Sequence, residues 1–92
     1  MTGAVVLINA DGERIAELGR ELAGIDGVAG AYSVAGDVDL VAVLRVSEPE
    51  QVAAIVTGRI AKLQGVRDTR TLIAFRSYSG DDIAAAYEGM ED

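Results

Sequence analysis

The sequence contains no cysteine, no histidine and no tryptophan, and only one phenylalanine and one proline. Without cysteine there is no disulfide and no thiolate ligand. Without histidine as well, the usual zinc donor sets are missing. The same two absences exclude Ser-His and Cys-His nucleophilic pairs and histidine acid–base chemistry. Positive charge is scarce: 8 Lys and Arg stand against 15 Asp and Glu, a formal net charge of -7. Phosphate backbones repel such a surface, so direct binding of DNA or RNA is disfavoured. Arg45, Arg59, Lys62, Arg67, Arg70 and Arg76 are interleaved with acids and form no basic stripe. The glycines follow neither phosphate-binding spacing. The apolar run Ala4–Ala10 is too short to span a bilayer, and no basic stretch or cleavage pattern accompanies it. The expectation is a cytoplasmic protein with no membrane contact, no metal and no cofactor.

What is present is an ordinary globular mixture: 92 residues, 50% of them hydrophobic and 25% charged. That is one domain spanning residues 1–92, with no room for a second. A chain this short buries about 60–65% of its unfolded surface, so a lone protomer is marginally stable. With neither disulfide nor metal to help, oligomerisation is the remaining common route to stability.

Ala4–Ala10 carries Val5, Val6 and Ile8, β-branched residues that favour a buried strand. Asp11-Gly12 ends it. From Glu13, apolar residues recur at Ile15, Leu18, Leu22 and Ile25, the spacing of an amphipathic helix. Gly24 and Asp26-Gly27 stop it. Val28–Ala35 reads as a second strand, Gly36-Asp37 as a two-residue type II′ turn, and Val38–Val46 as a third strand. Ser47 is placed to cap a second helix, with Glu50 completing a capping box and Pro49 in the first turn. Val52, Ile55, Val56, Ile60 and Leu63 share its inner face, and Gly65 stops it. Val66–Ser77 reads as a fourth strand centred on Thr71–Phe75. Ser79 caps a short last helix with Asp81 and Asp82 in its first turn, and Met90–Asp92 form a frayed tail.

The order strand, helix, strand, strand, helix, strand defines an α+β fold. It is the ferredoxin-like split βαβ sandwich, with both helices on one face of an antiparallel sheet. The other face should then alternate polar with apolar, and it does not. In the third strand Leu40, Ala42, Leu44 and Val46 point one way, while Val41 and Val43 make the opposite side apolar in its middle. Val5 and Leu7 do the same against Val6 and Ile8. The sequence therefore calls for a homodimer packed sheet on sheet, a dimeric α/β barrel.

The candidate site residues gather at two turns. Gly36, Asp37, Val38 and Asp39 put two carboxylates beside backbone N–H groups, which suits a zwitterion but is also ordinary turn chemistry. Thr69 and Thr71, two apart, point the same way on a strand. They could hold a small polar ligand or simply favour the strand. Tyr32 and Ser33 are similarly open to both readings. Asp37 and Asp39 make neither a glycosidase pair nor a metal site, and no residue is assigned a catalytic role.

The segment Gly30–Val46, with its Gly-Asp-Val-Asp turn, and the run Gly65-Val-Arg-Asp-Thr-Arg-Thr71 together resemble the ligand-binding domain of the Lrp/AsnC transcription regulators. This domain is also called the regulation-of-amino-acid-metabolism (RAM) domain. The resemblance covers Ala4 to Tyr78. It implies the same split βαβ sandwich, dimers formed through the sheets, and assembly into larger rings, often octamers. It implies a free amino acid bound between dimers by Gly36, Asp37, Val38, Asp39, Thr69 and Thr71, with Tyr32 and Ser33 as neighbours. Family members also carry a DNA-binding helix-turn-helix domain. Here Met1 is followed almost at once by the first strand, so the expectation is a stand-alone effector module. It could act on a full-length regulator of the same type by mixed assembly. Two rivals stand beside this reading. One is a small enzyme of the monooxygenase or isomerase type, for which Asn9 is the only conspicuous polar candidate. The other is a purely structural dimeriser.

Overall fold

The structure, a computed structural model, describes residues 1–76 and 78. Four strands, β1 (Thr2–Ala10), β2 (Val28–Ser33), β3 (Leu40–Val46) and β4 (Val66–Ile73), form one antiparallel sheet in the order β2-β3-β1-β4. Two helices, α1 (Ile15–Ala23) and α2 (Pro49–Gly58), lie on the same face. This is the split βαβ sandwich expected from the sequence.

The alternation within β1 and β3 decides which face the helices cover. Val6, Ile8, Leu40, Ala42 and Leu44 are completely buried, while Val5, Leu7, Val41 and Val43 on the opposite face are only partly buried. From α1, Leu18 and Leu22 complete the core, three and four residues from their apolar neighbours as the helical period requires. Beyond α1, Gly27 turns the chain with φ +96°, which an L side chain rarely adopts. From the second crossover, Val52 and Ile60 are buried in the same core.

Several boundaries differ from expectation. A 3₁₀ turn over Gly12–Arg14 precedes α1. The cap of α2 is Glu48, not Ser47, because the Gln51 side-chain oxygen accepts both the Glu48 N–H at 2.8 Å and the Ser47 hydroxyl at 2.9 Å. The box therefore closes on Gln51, not Glu50. After Gly58 the helix breaks at Arg59 (φ -124°, ψ -60°) and continues as a 3₁₀ turn, Ile60–Lys62. Strand β4 ends at Ile73, although the Ala74 N–H still donates to the Gly3 carbonyl at 2.8 Å.

The connection between β2 and β3 is not the type II′ turn expected at Gly36-Asp37. The strands part at the Ser33–Leu40 pair, and residues 34–39 form a wider loop closed by the Val34 N–H on the Asp39 carbonyl, 3.0 Å. The reason lies in Asp39, whose own N–H turns to the Ile8 carbonyl of β1, also at 3.0 Å. The helix expected after Ser79, its Asp81 and Asp82, and the tail lie outside the described residues. Among the described residues no helix is long and apolar enough to cross a membrane.

Candidate functional site

One end of the sheet collects most of the polar candidates. The last regular pair between β1 and β3 is Ile8 with Leu40. Just beyond it, Oδ2 of Asp39 accepts the backbone N–H of Ala10 at 2.9 Å. A side-chain carboxylate thus extends the ladder past its last backbone pair. On the other side of β1 the pairing steps from Asn9–Asp68 to Ala10–Val66, leaving Arg67 as an extra residue in β4. The Asn9 amide donates to Asp68 at 2.9 Å, and Arg67 lies 3.6 Å from Asp11.

The loop itself is open to solvent at Gly36 and Asp37 and half-buried at Val38 and Asp39. Gly36 takes φ +143°, a conformation that favours glycine. The N–H groups of residues 35–38 meet no backbone or side-chain acceptor among the described residues. Exposed amides beside carboxylates offer complementary partners for the two ends of a zwitterion.

The threonines lie elsewhere. Thr69 pairs with Ile8 and Thr71 with Val6, both core residues, so both threonines point to the helix-covered face. Thr71 and Ile73 border a largely apolar groove of about 270 Å³ beside Val52 and Val56 of α2. Strand β1 lies between β4 and the loop, so Thr69 is two strand spacings, about 10 Å, from the start of β3. The ammonium and carboxylate of one amino acid cannot span that distance directly.

Ser33 and Tyr32 diverge as well. Ser33 opposes Leu40 and faces a groove beside Ile15 and Gly19 of α1. Tyr32 opposes Val41 on the open face and is 57% exposed. The structure therefore brings Gly36, Asp37, Val38 and Asp39 together and leaves Thr69, Thr71, Tyr32 and Ser33 apart from them within one protomer.

The open face carries two rows across all four strands. One is Tyr32, Val41, Leu7 and Arg70; the other is Gly30, Val43, Val5 and Leu72. Its middle is aliphatic, and among the described residues nothing packs on it. Ala10 was not legible as a site residue, because its contribution is a backbone N–H fixed by strand register. Asn9, the polar candidate for an enzyme pocket, is spent on Asp68. No polar or charged side chain is buried among the described residues, and no cluster of acids there could hold a metal.

Residues 3–83 match the sequence profile of the Lrp/AsnC ligand binding domain. A protein of Pyrococcus horikoshii described as an uncharacterized HTH-type transcriptional regulator is 34% identical over 77 residues; the match covers 80% of this chain and 51% of that protein. The chain thus spans about half the length of that relative. The crystal structure of TTHA0845 from Thermus thermophilus superposes with a TM-score of 0.83 at 44% identity, covering 87% of this chain and all of that one. A feast or famine regulatory protein of Mycobacterium tuberculosis, complexed with L-methionine, superposes with a TM-score of 0.72 at 28% identity over 88% of this chain and 54% of its own. With the profile matched over most of its length and a relative 34% identical over 80% of it, the chain belongs to the Lrp/AsnC ligand-binding domain family.

Proposed function

We propose that the chain is a non-enzymatic module that binds a free amino acid and assembles with copies of itself. The observation that carries this reading is the loop of residues 34–39, which sets unbonded amides against two carboxylates at an exposed end of the sheet. Asp37 or Asp39 accepts hydrogen bonds from the ammonium, and the loop amides donate to the carboxylate. Thr69 and Thr71, too distant within one protomer, contribute from a neighbouring subunit, with Tyr32 and Ser33 bordering the site. The methionine complex of the Mycobacterium tuberculosis relative supports an amino acid as the ligand class.

The aliphatic open face supports a sheet-on-sheet homodimer, and dimers then assemble into a larger ring such as an octamer. A ligand held between dimers couples occupancy to assembly by mass action. The module acts on transcription through a full-length regulator of its own family and does not itself bind DNA, in keeping with its net charge of -7. Calorimetric titration with the twenty standard amino acids, L-methionine first, tests the reading. Saturable heat with a Kd between about 1 μM and 1 mM is expected. No heat with any of them at millimolar concentration overturns it.

A further inference from the structure

We propose that residues 81–90 lie as a helix along the groove between α2 and β4 of the same protomer, with Ile83, Tyr87 and Met90 against it. The proposal does not depend on the amino-acid reading above.

The groove exists because two helices do not cover four strands. Helix α2 packs over β1 and β3, and the edge strand β4 is left open beside it. Thr71 and Ile73 point to the helix-covered face, since they pair with Val6 and Ala4 of the core. Ile73 is nevertheless 54% exposed. With Pro49, Val52, Ala53 and Val56 it borders the largely apolar space of about 270 Å³. A sheet-on-sheet dimer uses the opposite face and leaves this groove uncovered.

The occupant follows from reach, pattern and charge. Ile73 is both a wall of the groove and the last residue of β4, so the chain leaves the sheet at the groove itself. The ten residues from there to Ile83 reach up to about 33 Å, ample for the chain to turn back. A segment tethered this closely meets the groove at an effective concentration on the order of millimolar.

Ile83, Ala86, Tyr87 and Met90 recur at spacings of three and four, while Asp81, Asp82 and Glu88 fall off that stripe. A helix over 81–90 matches the ten residues of α2, about 15 Å. An apolar cavity of about 150 Å³ takes a benzene ring, so the groove has room for the ring of Tyr87. The stretch also runs past residue 83, where the matched family profile ends, so the family match does not account for it.

The turn Ile60–Lys62 leads directly into β4, where the Val66 N–H donates to the Leu63 carbonyl at 3.2 Å. Helix α2 and β4 therefore run in opposite directions. A helix returning from Ile73 runs beside α2 in the same direction and brings Glu88 and Glu91 alongside Arg59 and Lys62. Both cations are exposed and make no ion pair among the described residues. Surface pairs of this kind add little affinity but favour one direction of docking.

The chain has no cysteine, so a pair of introduced thiols reports on one contact alone. In Ala53→Cys/Ala86→Cys the disulfide is expected to close within one chain at least about tenfold faster than in Ala16→Cys/Ala86→Cys, whose first thiol stands on α1. Ala53 and Ala16 are both exposed, so neither change disturbs the core. Adding Tyr87→Asp to the first pair should slow closure to the rate of the α1 control. Equal rates in the two pairs, or no effect of Tyr87→Asp, overturn the proposal. Disulfides that join two chains in preference to closing within one give the groove to the segment of a second copy and overturn the same-chain occupant. Hydrogen exchange on the wild-type chain needs no substitution. Amides of residues 84–90 should exchange at least about tenfold slower than the unprotected rate. Unprotected exchange throughout that stretch overturns the proposal whatever the disulfides show.

Discussion

The phenol of Tyr32 lies back over Gly30, two residues earlier on the open face of β2; a Cβ at position 30 would stand 2.9 Å from the Tyr32 hydroxyl oxygen. The glycine leaves the room the ring occupies. Because Tyr32 is 57% exposed, the ring can swing away when that room is filled. Gly30→Ala is therefore expected to change folding stability by less than about 1 kcal/mol in urea titration. It should weaken self-association by roughly tenfold, because an aromatic ring on an apolar patch is the kind of residue that dominates an interface. Sedimentation equilibrium of the variant checks this.

A second prediction concerns the core. Leu22 is fully buried between α1 and the sheet. Leu22→Ala should cost about 2–5 kcal/mol, a large share of the stability of a domain this size. The urea midpoint should fall sharply.

Gly27 offers a third. Its φ is +96°, and a Cβ there would stand 2.6 Å from Cδ1 of Ile55 and 3.1 Å from Cγ1 of Val46. Backbone strain and a clash with a partly buried helix residue act together. Gly27→Ala should destabilise by about 2 kcal/mol or more, read as a lower thermal midpoint.

The open face supplies the fourth. Val43 lies in the middle of that face, opposite Val5 and outside the helix-covered core. Val43→Glu should leave the far-UV circular dichroism of the fold intact. It should abolish dimers, because a carboxylate would be buried without a partner at the interface.

The sequence carried the layers of this fold well and its seams poorly. The alternation of Val6 and Ile8 with Val5 and Leu7, and the stripe of Leu18, Leu22 and Ile25, identify strand, helix and covered face because burial follows the backbone period directly. The cap of α2 was missed by one residue because the Gln51 side-chain oxygen takes both the Ser47 hydroxyl and the Glu48 N–H, and composition does not say which of the two residues stands at the cap. The turn between β2 and β3 was misread because Asp39 bonds to β1, a long-range contact invisible in Gly-Asp spacing. Thr69 and Thr71 were legible as a same-face pair, but their face was not. It depends on the pairing with Ile8 and Val6, next to a bulge at Arg67 that no local pattern announces.

The central claim is that this chain works as an assembly whose apolar sheet face is covered by a second copy. Sedimentation velocity of the wild-type chain at tens of micromolar, with and without a mixed pool of amino acids, tests it most directly. The account predicts species of at least twice the chain mass without ligand and a shift among larger species when the pool is added. A single sedimenting protomer under both conditions would contradict it.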